Sequence, residues 1–145
     1  MLYQTATTSF KVQLAQGLHN FGPTSPNTFY IALFTAASTI NAATPTYSTA
    51  LVGEVVGTGY TQGGQQLTIT TTPTSGISGT TAYWSFADVL WSPAAFTARG
   101  AMIYNASQSN ASVCILDFGA DKTCTNSFTI QFPTAVASSA ILRIA

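Results

Sequence analysis

Charged residues are scarce in this sequence. Lysine and arginine together number four, aspartate and glutamate number four, and charged residues make up 6% of the 145 positions. Ordinary soluble domains carry about 25%. The charges cancel at pH 7 and form no basic cluster, which argues against binding to nucleic acids through their phosphates. A surface with so little charge does little to oppose association, so we expect the protein to function packed against neighbouring molecules.

Residues that perform catalysis or bind metals are equally few. The chain has one histidine, His19, and two cysteines, Cys114 and Cys124. One histidine leaves little material for a nucleophile, a base and an orienting group, and the Gly-x-Ser-x-Gly motif is missing. We therefore predict no catalytic residue, no cofactor-binding residue and no metal ligand. For His19 we expect a favourable contact with a helix dipole or a buried hydrogen bond.

Long apolar runs and export signals are also missing. No apolar stretch approaches the roughly 20 residues that cross a bilayer, and the start of the chain, MLYQTATT, has no basic region followed by an apolar run. We expect a protein that folds in the cytoplasm without a membrane partner. In that compartment Cys114 and Cys124 are expected to be reduced rather than joined in a disulfide, with Cys114 as a small core residue.

Two local patterns have both a functional and a structural interpretation. Residues 57–64 (GTGYTQGG) look superficially like a phosphate loop, but they lack the G-x-G-x-x-G spacing, a Lys-Ser/Thr pair and a following helix. Turn glycines with positive φ are the favoured interpretation. Asp117 and Asp121 could act as an acid/base pair or as calcium ligands. Because Lys122 adjoins and further oxygen ligands are missing, we favour carboxylates that cap a turn.

Serine and threonine make up about a quarter of the residues and favour strands over helices. Residues 95–118 contain two apolar runs that flank a small-residue segment, 106–111, which is typical of two antiparallel strands joined by a short loop. Both faces of each predicted strand are largely apolar. A strand of this kind is covered on both faces, so we expect this pair at the centre of the fold.

The other elements are predicted around this pair within a single domain, residues 1–145. The chain begins with a flexible arm, residues 1–8, followed by a helix over residues 9–20 that ends at Gly22-Pro23. The predicted fold is all-β: an antiparallel sandwich or barrel of about seven to eight strands with one short N-terminal helix. Strands besides the central pair are expected at 28–35, 54–60, 65–72, 81–91, 127–132 and 140–144.

Arg99 stands in an otherwise apolar strand. Its guanidinium is expected either at a strand edge or paired with a carboxylate, and Asp117 on the partner strand is within reach in a regular hairpin. Breaking such a pair in a buried setting would be costly. A role for Arg99 at an interface is the alternative.

The sequence resembles a family of small virion proteins of tailed bacteriophages. Residues 97–105 (TARGAMIYN) are the most specific part of this resemblance, and the other blocks extend it over nearly the whole chain, from about residue 10 to residue 144. These further blocks are 10–14 (FKVQL), 29–34 (FYIALF), 54–64 (EVVGTGYTQGG), 84–91 (WSFADVLW) and 116–119 (LDFG).

The resemblance implies a non-enzymatic structural protein of the virion, assembled in the host cytoplasm, with no cofactor. A capsid decoration (cement) protein that bridges capsomers is the first expectation, and a neck, tail or fibre component is the second. The implied partners are the major capsid protein, or neck and tail proteins, and further copies of the chain as a dimer or trimer. We predict these interface residues, the first two as anchors of the arm: Leu2, Tyr3, Tyr60, Trp91 and Arg99.

The rival hypothesis from another class is a carbohydrate-binding adhesion module, since aromatic side chains supply stacking faces for sugars. Core packing is the favoured explanation of the same side chains, because aromatic residues dominate small β cores. The aromatic residues in question are Tyr47, Tyr60, Tyr83, Trp84 and Trp91.

Overall fold

A computed structural model describes residues 1–76 and 79–145 of the chain. The described residues form ten strands, one α-helix and one short 3-10 helix, Ala106–Gln108, which confirms the predicted all-β class. In chain order the elements are β1 (Thr5–Ala6), α1 (Thr8–Ala15), β2 (Phe29–Phe34), β3 (Gln65–Leu67), β4 (Ile69–Thr74), β5 (Ala82–Phe86), β6 (Val89–Trp91), β7 (Phe96–Asn105), β8 (Ala111–Cys124), β9 (Phe128–Ile130) and β10 (Leu142–Ile144).

The strands pair antiparallel throughout, in three sheets. The largest has the order β1-β8-β7-β2-β3, the second has the order β10-β5-β4, and the third pairs β6 with β9. The predicted central pair is β7 and β8, which lie between β1 and β2. Their connection turns through Ser109 and Asn110, both left-handed at φ 52° and 58°. The hairpin predicted from residues 95–118 is therefore confirmed, with a longer second strand than expected.

Both faces of the largest sheet are covered, as the two-sided apolar pattern predicted. On one face, Ile31, Ile103 and Val113 pack into the main core with side chains from α1 and the two smaller sheets. On the other face, Ala32, Met102 and Ile115 pack into a second cluster. Residues outside the sheet close this second cluster, namely Leu2, Ile40, Tyr47 and Leu51.

The N-terminal segment is not a free arm, which corrects the prediction for residues 1–8. Leu2 is 3% exposed and Thr7 is fully buried. Thr5 and Ala6 pair with Ile115 and Cys114 of β8. Thr7 Oγ1 also accepts from the backbone N–H of Phe10 at the start of α1. The N-terminal segment therefore both pairs with the sheet and caps the helix.

Helix α1 is shorter than the predicted helix over residues 9–20. Gly17 adopts φ 73°, a left-handed conformation that ends the helix. The N–H of Gly17 donates to the carbonyl of Leu14, and the N–H of Leu18 donates to that of Gln13. This pair of bonds satisfies the last helical carbonyls, so the chain leaves the helix before the predicted stop at Gly22-Pro23.

Three predicted strands also differ in the structure. Residues 65–72 divide into β3 and β4, which belong to different sheets. Residues 54–60 form isolated bridges, of Glu54 with Phe34 and of Thr58 with Ala95, rather than a strand. Residues 81–91 divide into β5 and β6, because Asp88 Oδ1 accepts from the N–H of Phe132 and the chain changes sheets there. The interruption that the sequence showed at Asp88 is thus a boundary between two strands.

Candidate interaction surface

The segment from Leu51 to Gly64 is held against the largest sheet by hydrogen bonds. We call residues 51–64 the glycine loop. Its backbone forms hydrogen bonds to strand neighbours: the N–H of Thr35 donates to the carbonyl of Gly53 (2.7 Å), and the N–H of Val55 donates to that of Leu33 (2.9 Å). The N–H of Ala95 donates to the carbonyl of Thr58 (3.0 Å). The loop is therefore held along its length although it is not a strand.

Glycine permits this close approach. A Cβ atom built on Gly59 would lie 1.8 Å from the carbonyl oxygen of Pro93, and one on Gly64 would lie 1.8 Å from that of Ile31. Both glycines also have positive φ, 79° and 78°. The sequence interpretation of these residues as turn glycines rather than a phosphate loop agrees with this geometry.

The carboxylate of Glu54 is the polar centre of the glycine loop. Its Oε2 accepts from the hydroxyl of Tyr47 (2.8 Å), and its Oε1 accepts from the hydroxyl of Tyr60 (2.9 Å). Oε1 also accepts from the backbone N–H of Gly63 (2.7 Å). Hydrogen bonds to an ionised acceptor are stronger than neutral ones, so this side chain ties both ends of the loop together.

The tyrosines link Glu54 to the sheet. The Tyr60 hydroxyl accepts from the backbone N–H of Leu33 (2.9 Å), and the Tyr104 hydroxyl of β7 donates to the carbonyl of Gly63 (2.8 Å). Burial, together with the nearby Glu54 carboxylate, raises the pKa of Tyr47 and of Tyr60, and raises the pKa of Tyr104 to about 12. All three hydroxyls stay protonated at neutral pH and keep donating.

Two valines on this fixed loop point into solvent. Val56 is 93% exposed and Val52 is 61% exposed. A cavity of about 330 Å³ lies beside Val56, and its lining also includes Leu51, Tyr60 and Gln62. Glu54 is the only charged residue between positions 51 and 64, and its oxygens are already used by three donors. The glycine loop therefore exposes two apolar side chains together with the polar Thr58, Thr61 and Gln62, and it has no unpaired charge of its own.

Two of the predicted interface residues belong to the core, which corrects that prediction. Leu2 packs in the second cluster against Gly100, where a Cβ would meet Leu2 Cδ1 at 2.8 Å. Trp91 is 1% exposed and its ring contacts Phe96 and Phe128 edge-on. A sequence pattern does not distinguish a buried aromatic residue from an exposed one in a short strand. The prediction of Trp91 as an interface residue is wrong for this reason.

The other three predicted interface residues differ in exposure: Tyr3 is exposed, and Tyr60 and Arg99 are half-buried. Tyr3 is 65% exposed at the N-terminus, while the hydroxyl of Tyr60 is used by the glycine-loop network. The Arg99 Nε donates to Asp117 Oδ1 at 3.0 Å across β7 and β8, which confirms the predicted ion pair. Both side chains of the pair remain partly exposed, at 27% and 20%, so it lies at the surface rather than in the core.

The sequence does not predict the exposure of Val52 and Val56. Residues 54–60 are predicted as a strand, in which the consecutive Val55 and Val56 point to opposite faces, and Val52 lies before this range. The glycines at 53, 57 and 59 were the available signal, since glycine weakens a strand interior and marks close backbone approach.

Metal-ligating side chains do not cluster in the described part of the chain. Within residues 1–76 and 79–145, no three histidine, cysteine or acidic side chains cluster as metal ligands would. Asp117 Oδ1 accepts from the N–H of Gly119 (2.9 Å), so this carboxylate caps a local turn where β8 bulges. In the same ranges, no helix has the length and apolar character that a membrane crossing requires.

The aromatic residues considered for sugar stacking lie mostly in the interior. Tyr47, Trp84 and Trp91 are 6%, 3% and 1% exposed. Cys114 is also buried, which raises the pKa of its thiol to about 12, and both cysteines are free. Core packing therefore accounts for these side chains.

No protein-family model matches this chain, and neither a curated protein nor a solved structure matches it. The bacteriophage resemblance accordingly stays a prediction from sequence motifs. The fold and the glycine loop are the structural facts to which a function must be fitted.

Proposed function

We propose that this protein is a non-enzymatic structural component of a bacteriophage virion, and that it decorates the capsid by binding across neighbouring capsomers through the glycine loop. The carrying observation is the near-complete exposure of Val56, with Val52 also exposed, on a loop that is fixed to the sheet. The partner is the major capsid protein, and copies of the chain associate as a dimer or trimer on the head.

Rigid presentation of apolar side chains supports this proposal physically. Binding by a loop that is already ordered loses less conformational entropy than binding by a mobile one. The low charge of the chain adds to this, because few ionised groups need to be desolvated when the surface is covered. Many weak contacts of this kind, repeated over a shell, stabilise it through multivalency.

Val56→Asp is expected to weaken binding to heads that lack this protein by about tenfold or more, because it places a charge in an apolar contact. Co-sedimentation of purified protein with such heads measures the change. Val136→Asp is the matched control, since Val136 is an exposed valine (41%) outside the glycine loop. Both positions are exposed, so neither substitution should disturb folding.

The two variants distinguish the possible outcomes. Loss of binding for Val56→Asp alone supports the glycine loop as the contact surface. Equal binding by both variants and the unmodified protein would refute the loop as the surface. If the unmodified protein labels only the neck or tail in immunogold microscopy, it is a neck, tail or fibre component and the decoration mechanism is wrong.

Binding through this loop should depend little on salt. Surface charge pairs are screened at raised ionic strength, whereas apolar contacts are not. We expect the dissociation constant for heads to change less than about threefold between low salt and about 0.5 M NaCl, where the Debye length is only a few ångströms. A steep weakening over that range would show that charged groups elsewhere carry the contact.

A further inference from the structure

His19 lies in a buried polar cluster that the proposed function does not use. It is 7% exposed, and Asn105 at the end of β7 is fully buried beside it. Asn105 Nδ2 lies 3.0 Å from His19 Nδ1, and His19 Nε2 lies 3.0 Å from Gln13 Oε1 on α1. The ring therefore connects the helix with the end of the central strand.

The orientation of the Asn105 amide is determined by its other contacts. Its Oδ1 accepts from the backbone N–H of Ser107 (3.1 Å). Its Nδ2 donates to Asn27 Oδ1 (2.9 Å). If the amide were reversed, Nδ2 would face the N–H of Ser107 and Oδ1 would face Asn27 Oδ1. Both contacts would be repulsive, so Nδ2 must face His19.

This orientation decides which histidine nitrogen carries the proton. Asn105 Nδ2 can only donate, so His19 Nδ1 must accept and holds no proton. The other ring nitrogen, Nε2, then carries the hydrogen that it donates to Gln13 Oε1. The cluster accommodates one neutral tautomer of the ring and excludes the imidazolium, which has a hydrogen on both nitrogens.

We infer that His19 is an acid-sensitive latch. Protonation of Nδ1 places a new N–H against the N–H of Asn105. Because two donors then face each other, the segment between α1 and β2 separates from the end of the central hairpin. Asn27 is part of the same latch, because its Oδ1 accepts both from Asn105 and from the backbone N–H of Asn20. The unit that opens is therefore the segment from Gly17 to Thr28.

No charged side chain on the elements packed around the ring stabilises a proton on His19. Helix α1 carries one charged side chain, the exposed Lys11, and residues 17–27 contain none besides the histidine itself. On β7, Arg99 is paired with Asp117, and the Tyr104 hydroxyl donates to Gly63 in the opposite cluster. The ring neighbours, Phe10 and Phe21, are apolar, and burial lowers the pKa of His19.

The direction of the pH effect follows from that lowered pKa. The closed state binds a proton less readily than the open state, in which the pKa is near the ordinary 6.5. The latch is therefore fully effective above about pH 6.5 and weakens as the pH falls through the lowered pKa of the closed state. Each unit of difference between the two pKa values allows about a tenfold increase in the open population.

The first test needs no substitution, because His19 is the only histidine in the chain. Nuclear magnetic resonance of the ring nitrogens and carbon-bound protons over pH 4 to 8 should show the neutral tautomer with hydrogen on Nε2 and a pKa below 6.5. A hydrogen on Nδ1 at neutral pH, or a pKa at or above 6.5, would overturn the latch.

Opening itself is measured by amide hydrogen exchange at pH 7 and pH 5, corrected for the intrinsic pH dependence of exchange. Amides of residues 20–28 should lose protection at pH 5, while those of Ile103 and Val113 in the central hairpin should not. Asn105→Asp supplies an acceptor to His19 Nδ1 in place of the donor and should raise the pKa of His19, and the ring resonances measure this; because its second oxygen faces Asn27 Oδ1, the variant is not used for the protection of residues 20–28. Unchanged protection of residues 20–28 between the two pH values would refute the opening.

Discussion

Gly64→Ala is expected to lower the free energy of unfolding by at least about 4 kcal/mol, a loss that few single substitutions reach. The new Cβ would lie 1.8 Å from the carbonyl oxygen of Ile31 and 2.8 Å from the Cα of Ala32. Both atoms belong to the backbone of β2, a strand covered on both faces that cannot shift without disturbing the core. Urea denaturation followed by tryptophan fluorescence measures the loss.

Gly119→Ala separates the close contact from the backbone conformation. Gly119 has φ 76°, nearly the same as the 78° of Gly64, but a Cβ there would meet nothing within 4 Å. The strain of a left-handed alanine alone costs about 1 kcal/mol. Similar losses for the two variants would show that the approach of the glycine loop to β2 does not control stability.

Glu54→Ala is expected to cost about 2 to 4 kcal/mol and to mobilise the glycine loop. Removing the carboxylate leaves the hydroxyls of Tyr47 and Tyr60 and the N–H of Gly63 without their acceptor. Tyr47 is 6% exposed, so water replaces its lost bond poorly. Thermal unfolding measures the stability change, and the decoration proposal adds that binding to heads should weaken as the loop loses order.

Glu54→Gln is the matched control for this network. The amide keeps one acceptor oxygen for Tyr60 and Gly63, and its Nε2 can donate to the Tyr47 hydroxyl oxygen in place of accepting from it. We expect a smaller loss, about 1 to 2 kcal/mol, because the shape is kept and only the charge is removed. If Glu54→Ala proved as stable as the unmodified protein, the carboxylate would have no part in holding the loop.

Local patterns in the sequence were sufficient for the centre of the fold. The two-sided apolar runs predicted β7 and β8 and their cover on both faces, because burial on both sides of a strand requires apolar residues at every position. The pair of Arg99 with Asp117 is one of the alternatives that the sequence leaves open, and the structure places it at a shift in the register of β7 and β8. The buried hydrogen bond of His19 was predicted as one of two alternatives, and its contact with Asn105 confirms it.

Long-range contacts decided the remainder. Residues 1–8 look mobile in sequence because they are polar and lie at the terminus, yet Leu2 fills the space above Gly100, a residue far away in the chain. The sequence around Trp91 is compatible both with packing against Phe96 and Phe128 and with exposure to solvent. Neither position is encoded by its neighbours in sequence, so only the assembled sheets determine burial there.

The glycine loop shows most clearly which features follow from local sequence and which follow from tertiary contacts. From the sequence, the glycines of residues 57–64 predict a turn or a bulge, because glycine is the residue that adopts positive φ without strain, although residues 54–60 are predicted as a strand. The tertiary structure decided where that turn is held, through the Glu54 carboxylate and the carbonyls of β2 and its neighbours, and hence that Val56 is exposed. Exposure of one side chain depends on the position of every segment around it, and a linear pattern contains no record of those segments.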